Sequence, residues 1–77
     1  VLVNARVSEE KKYDYDQDDE ICAQIAELET QMAGKGRVLV RTSGTEPLVR
    51  VMIEGRDQGY ITKKAVELVK LIEERLG

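Results

Sequence analysis

The chain has 77 residues, of which 42% are hydrophobic and 35% are charged, and its net charge is −3. This size and composition are typical of one small globular domain, and they exclude a disordered segment or a deep catalytic cleft built by this chain alone. The acidic balance argues against nucleic acid as a partner, and no apolar run approaches the roughly 20 residues that a membrane span requires.

Residue types that are absent or rare limit the reactions and metal sites that this chain can support. The chain has no histidine, so it lacks the commonest general base and the commonest metal ligand. Cys22 is the only cysteine, which excludes an internal disulfide, and its apolar surroundings predict a small buried side chain. The chain opens on Val1 rather than on methionine, and we expect it to be part of a longer protein.

The first half of the chain predicts a strand followed by a helix. Residues 1–7 (VLVNARV) alternate loosely and favour a strand, and the polar residues 8–16 favour a loop. Asp18 and Asp19 are candidate caps for a helix that ends at the glycines Gly34 and Gly36. The apolar stripe of this helix is Ile21, Ile25, Leu28 and Met32.

The second half predicts two strands and a second helix. Residues 37–41 and 48–54 are short and rich in β-formers, and residues 55–59 are expected to form a turn. In the longer strand, Val49, Val51 and Ile53 share one face, while Leu48, Arg50, Met52 and Glu54 share the other. The helical stripe towards the C-terminus is Ile61, Ala65, Leu68, Val69, Ile72 and Leu76.

The order strand, helix, strand, strand, helix predicts an α+β domain in two layers. The apolar stripes of two helices can be buried only against one face of the sheet. A right-handed crossover after the first strand leaves the middle place to the returning strand of the hairpin. We therefore expect an antiparallel sheet of order 1-3-2, with two helices on one face.

The connection between the two hairpin strands, within RTSGTEPLVR, is unusually polar. As a plain solvated loop it would place Gly44 at a positive φ and let Pro47 open the next strand. As an anion site, it would use the backbone N–H groups around Gly44 and the hydroxyls of Ser43 and Thr45. Neither composition nor spacing decides between these two interpretations.

Two arginines bracket this connection, which the interpretation as a plain solvated loop does not explain. Arg41 lies just before it and Arg50 just after it, and the planar guanidinium of arginine matches phosphate with two parallel hydrogen bonds. Arg50 lies on the face away from the expected core, so it either reaches the site or remains in solvent. No nucleophile with an adjacent base is present, so we expect binding here and no catalytic residue.

The segment RTSGTEPLVRVMIEG resembles the phosphate-binding loop of the α-D-phosphohexomutase superfamily. The match departs at Thr42, where proline is frequent, and it is specific over about residues 36–55. The matching positions are Arg41, Ser43, Gly44, Thr45, Glu46, Pro47, Leu48, Arg50, Val51, Met52, Glu54 and Gly55.

The resemblance implies that residues 1–77 are the fourth, C-terminal domain of a four-domain cytoplasmic mutase. It implies a fold like one half of the TATA-box-binding protein. It also implies that Arg41, Ser43, Gly44, Thr45 and Arg50 hold the non-reacting phosphate of a phosphorylated hexosamine during exchange between its 6-phosphate and 1-phosphate. The phosphoserine, the Mg²⁺ and the sugar-reading groups would belong to the other three domains, with no metal bound by this one.

Other interpretations remain open at this stage. The parent could prefer another hexose phosphate, as phosphomannomutases and phosphoglucomutases of the same superfamily do. The domain could instead be a non-catalytic anion-binding module, or an interaction module that docks a partner on its open sheet face. Residues 14–20 (DYDQDDE) are acidic, but they lack the glycine and final glutamate of the common calcium loop, so helix capping is the expected use.

Overall fold

Three strands and two long helices form in the predicted order. A computed structural model describes all residues, 1–77. Its strands are β1 (Leu2–Arg6), β2 (Gly36–Thr42) and β3 (Leu48–Gly55), and its helices are α1 (Asp19–Gln31) and α2 (Gln58–Leu76). A single 3-10 turn, Asp14–Asp16, interrupts the polar loop after β1.

β3 is the central strand of an antiparallel sheet whose order is β1-β3-β2. The predicted order is therefore confirmed. Ala5 of β1 pairs with Val49 and Val3 pairs with Val51, while Val40 of β2 also pairs with Val51. This register places Val3, Ala5, Val40, Val49 and Val51 on one face, which the helices cover.

The core lies between the sheet and the helices and is a single cluster. The face of β3 formed by Val49, Val51 and Ile53 is fully buried, as the alternation predicts. The six predicted stripe residues of α2 are all buried, whereas in α1 Ile25 is only partly buried. The domain is thus an α+β fold of two layers, with the outer sheet face open.

Both helices begin at aspartate caps. The Asp18 carboxylate accepts hydrogen bonds from the N–H groups of Glu20 and Ile21, each at 3.1 Å, which confirms one of the two predicted caps. The Asp57 carboxylate accepts from the N–H of Tyr60 at 3.0 Å. These bonds satisfy N–H groups that the first helical turn leaves without partners.

Three local predictions are wrong. Gly36 does not end α1 but begins β2, and only Gly34, at φ 74°, has the left-handed conformation of a helix end. Gly59 belongs to the first turn of α2 rather than to a turn before it, because Asp57 starts the helix earlier. Cys22 is half-buried, and its thiol lies 3.3 Å from the carbonyl oxygen of Asp16.

No helix of the structure combines the length and apolar character that a membrane crossing requires.

Candidate anion-binding site

The loop between β2 and β3 comprises residues 43–47 and is fixed at both ends. The Ser43 N–H donates to the carbonyl oxygen of Leu48 at 2.9 Å and closes the loop. The Val7 N–H donates to the carbonyl oxygen of Pro47 at 3.0 Å and joins the loop to the end of β1. The loop is therefore held at the end of the sheet, with Ser43 buried and residues 44–47 exposed.

Ser43 shapes the loop from inside. Its side chain is buried, and its hydroxyl oxygen accepts a hydrogen bond from the Glu46 N–H at 3.3 Å. This contact is a local turn of the kind that serine hydroxyls form with backbone groups two or three residues on. That the same hydroxyl also donates to an anion stays a prediction.

Gly44 and Thr45 form the exposed tip of the loop, and their backbone N–H groups have no acceptor in the protein. The expected positive φ at Gly44 is wrong, since Gly34 is the only glycine with a positive φ. A Cβ built on Gly44 would meet no atom within 4 Å. The protein itself therefore does not require glycine here, and the open space beside Gly44 is available to a ligand.

Arg41 and Arg50 lie directly opposite each other across β2 and β3. Both are exposed, on the sheet face away from the helices, and neither forms an ion pair with a carboxylate. Side chains opposed in this way have Cβ atoms about 4.5–5.5 Å apart, and like charges at that separation repel each other. The structure thus brings together the two arginines that the sequence places on either side of the loop.

Arg37, on the same face of β2, provides an internal comparison. Its guanidinium lies 3.1 Å from the Glu54 carboxylate, and Glu54 is its opposite residue on β3. One end of the hairpin therefore pairs opposite charges, while the end at the loop pairs like charges. An anion at the loop end would neutralise that repulsion.

Lys12 contacts the backbone of the loop, and the sequence analysis did not identify it. Its side chain is 4% exposed, and its ammonium lies 3.0 Å from the Glu9 carboxylate. The same ammonium donates to the carbonyl oxygens of Ser43 at 3.4 Å and of Glu46 at 3.5 Å. A lysine within a run of charged residues carries no sequence signal that it will be buried.

Glu46 contributes through its backbone. Its N–H bonds to Ser43 and its carbonyl oxygen accepts from Lys12, while its side chain is exposed and forms no ion pair. This arrangement agrees with a structural use of Glu46, because a carboxylate aimed at the tip would repel an anion.

Within the acidic residues 14–20, Asp18 caps α1, and Asp18 and Glu20 form ion pairs with Arg75. Besides capping α1, the Asp18 carboxylate lies 2.5 Å from the Arg75 guanidinium. The hydrogen bond from Arg75 lowers the pKa of Asp18, and the N–H groups of Ile21 and Glu20 add to this effect, against a smaller rise from burial. No group of three or more His, Cys, Asp or Glu side chains is placed to hold a metal ion.

The outer face of the sheet is divided rather than uniformly apolar. Leu2, Met52 and Leu39 form one apolar row across the three strands. The pair Arg37–Glu54 flanks this row on one side and the pair Arg41–Arg50 on the other. No broad apolar patch of the kind that marks a protein-docking surface is formed.

The fold and this loop define a class of small α+β domain in which a polar loop joins two strands of a three-stranded antiparallel sheet. Residues 2–71 match the family described as phosphoglucomutase/phosphomannomutase, C-terminal domain, and the chain belongs to this family.

Relatives with high identity carry a narrower name. The chain is 62% identical over 77 residues to a phosphoglucosamine mutase of Acetivibrio thermocellus and 59% identical over 77 residues to one of Ruminiclostridium cellulolyticum. It is 60% identical over 75 residues to that of Finegoldia magna. These matches cover 97–100% of this chain but only 17% of each relative.

Proposed function

We propose that this domain binds the phosphate of a phosphorylated hexosamine at the tip of the loop 43–47. The hydrogen-bond donors to the phosphate are the N–H groups of Gly44 and Thr45, the Thr45 hydroxyl and the guanidinium groups of Arg41 and Arg50. Ser43 contributes mainly by shaping the loop, and its hydroxyl proton remains free to donate.

The observation that carries the proposal is the pairing of Arg41 with Arg50. Two guanidinium groups opposed on neighbouring strands repel each other unless an anion lies between them. A phosphate offers several acceptor oxygens, enough to accept from both forks at once. Arg37, which pairs with Glu54 on the same face, indicates that this repulsion is not a general property of the hairpin.

The unpaired N–H groups of Gly44 and Thr45 support the same ligand. Successive N–H groups of a turn can point into one concave surface and bind anion oxygens. The free space beside Gly44 lets the ligand approach the backbone closely. We propose that the N–H groups and the arginines donate to the same anion.

Binding of this kind would assist a reaction that takes place elsewhere. A grip on the non-reacting phosphate fixes the orientation of the reacting end, and the binding free energy can lower the barrier at a distance. Such a grip requires hydrogen-bond donors and no general base, in agreement with the residues at this loop.

For the whole protein, we propose a phosphoglucosamine mutase, an isomerase that exchanges glucosamine 6-phosphate and glucosamine 1-phosphate through a bisphosphate. The names of the relatives and the loop RTSGTEPLVR support this activity. A Mg²⁺ held by another domain, three further domains as partners and a cytoplasmic location rest on the resemblance alone.

The experiment is a kinetic comparison in the full-length protein that carries this domain. We expect Arg41→Ala to lower kcat/KM for glucosamine 6-phosphate by about 10–100-fold, since a charge-assisted hydrogen bond contributes about 1.5–3 kcal/mol. Arg37→Ala, on the same face of β2, is the matched control and should retain activity. A normal kcat/KM in Arg41→Ala would reject the phosphate grip, and a preference for mannose 6-phosphate or glucose 6-phosphate would reject the proposed substrate.

A further inference from the structure

Lys12 is a buried charged residue that is not among the proposed phosphate-binding groups. It lies outside the loop 43–47, in the polar segment after β1, and its side chain is 4% exposed. Burial of a lysine is costly unless its ammonium has partners. Here Glu9 provides the charged partner, and the carbonyl oxygens of Ser43 and Glu46 are the other two acceptors.

The contact with Ser43 has a directional consequence. All peptide bonds of the chain are trans. In a planar trans peptide, the carbonyl group and the following N–H point in opposite directions. Because the Ser43 carbonyl is turned inwards towards Lys12, the N–H of Gly44, which belongs to the same peptide, is turned outwards. This N–H is one of the two that have no acceptor in the protein.

The contact with Glu46, at 3.5 Å, lies at the other end of the loop, where the same carbonyl oxygen also accepts a hydrogen bond from the Leu48 N–H at 2.8 Å. The peptide after Glu46 leads to Pro47, which has no N–H, so this contact aims no donor at a ligand. It instead joins the return of the loop to the same ammonium as its start. Lys12 thus connects the two ends of the loop tip through one charged group.

We propose that Lys12 is a positioning residue that holds the loop 43–47 in its anion-binding conformation. It acts through the carbonyl groups of Ser43 and Glu46 and does not touch the ligand. The hydrogen bond that its ammonium donates to the Glu9 carboxylate raises the pKa of Lys12 above its ordinary value, against a lowering by burial. The ammonium is therefore charged throughout the neutral pH range. This inference concerns the loop conformation, and only its effect on affinity rests on the proposed function.

The first test measures the loop without any ligand. Backbone ¹⁵N relaxation of residues 43–47 is compared in the 77-residue chain, in Lys12→Met and in Lys12→Arg. Lys12→Met retains an apolar stem and removes the charge, and Lys11→Met is the matched control at an exposed neighbouring lysine. We expect increased motion in the loop of Lys12→Met only, with Lys12→Arg close to wild type. A folded Lys12→Met whose loop relaxation is unchanged would overturn the proposal.

A measurement on the wild type tests the proposal even if Lys12→Met fails to fold. The ammonium protons of Lys12 should exchange with solvent more slowly than those of Lys11, because burial and three acceptors protect them. Equal exchange rates for the two lysines would overturn the proposal without any substitution.

The second test adds inorganic phosphate as the probe. We expect Lys12→Met to weaken phosphate binding about tenfold and Lys12→Arg to restore most of it. If the wild type does not bind phosphate, the proposed function is rejected. The positioning role of Lys12 is then decided by the relaxation measurement alone. Wild type that binds, with Lys12→Met binding equally well, would reject the positioning role alone.

Discussion

Arg41 and Arg50 face each other across neighbouring strands, and no carboxylate lies within ion-pair distance of either. On the same face of this hairpin, the next pair away from the loop is Leu39 with Met52, which is apolar. The pair after it is Arg37 with Glu54, which is oppositely charged. Only the pair beside the loop carries unbalanced charge. This difference between the two ends of one hairpin is the observation on which the proposed anion site rests.

Removing one member of the arginine pair should have opposite effects on binding and on stability. We expect Arg50→Ala to weaken phosphate binding by about tenfold or more and to leave the free energy of unfolding unchanged or raised by up to about 1 kcal/mol, because a repulsion is relieved. Isothermal titration and urea unfolding of the same samples measure both. A loss of stability without a loss of binding would contradict the assignment of Arg50 to the site.

Gly44→Ala separates the needs of the ligand from those of the fold. A Cβ at Gly44 meets no protein atom, and the φ of Gly44 is not positive, so alanine should raise the free energy of unfolding by about 0.4–1 kcal/mol. The same methyl group should weaken phosphate binding, since it occupies the space of the ligand. Gly59→Ala in α2 is the control, and it should stabilise the domain while phosphate affinity stays as in wild type. Unweakened binding by Gly44→Ala would remove the Gly44 backbone from the site.

Gly36→Ala tests the packing at the other end of the hairpin. A Cβ at Gly36 would lie 2.2 Å from the carbonyl oxygen of Glu54 and 2.5 Å from the Met32 side chain. Because the first of these is a backbone atom that cannot move freely, we expect a loss of about 1–3 kcal/mol in the free energy of unfolding. Thermal or urea unfolding that matches wild type would show that β2 begins later than Gly36.

Asp18→Asn tests the pair with Arg75 by its pH dependence. Asparagine caps helices about as well as aspartate, so the change removes mainly the charge. The pKa of Asp18 is lowered from 3.8, so its contribution is fully present above that pH and is lost as the pH falls through the folded pKa. We expect wild type to be more stable than Asp18→Asn at neutral pH and the difference to shrink in acid.

Urea unfolding of both chains at neutral pH and at pH 3 gives this comparison. Asp16→Asn, at an exposed aspartate without an ion pair, is the control and should show no such pH-dependent difference. A gap between wild type and Asp18→Asn that stays constant on acidification would reject the charge pair as its cause.

The sheet and the helices could be predicted because their signals are local and periodic. Alternation in β3 identified its buried face, and the stripe of α2 was right at every position. The sheet order followed from the handedness of one crossover. The errors at Gly36 and Gly59 arose because glycine occurs at helix ends and also at the starts of strands and helices. Only the hydrogen bonds of the folded chain distinguish these positions.

The site was predictable only in part. Arg41 and Arg50 were identified from their positions around the loop, but their direct opposition depends on the strand register, which sequence spacing did not settle. The positive φ expected at Gly44 was wrong because the loop closes through the hydrogen bonds of Ser43 with Leu48 and Glu46, without a left-handed residue. Lys12 was missed because its contacts with Ser43 and Glu46 span more than 30 residues of sequence.

The most direct measurement is an amide NMR titration of the 77-residue chain with glucosamine 6-phosphate. Glucosamine serves as the ligand control, and Arg41→Ala and Arg37→Ala serve as the paired protein variants. Binding in the millimolar range corresponds to about −4 kcal/mol, which a few charge-assisted hydrogen bonds can supply. The account predicts shifts centred on Gly44 and Thr45 that glucosamine does not produce, that Arg41→Ala loses and that Arg37→Ala keeps. Unchanged Gly44 and Thr45 amides at phosphate ester concentrations up to about 50 mM, or equal shifts with glucosamine, would contradict it.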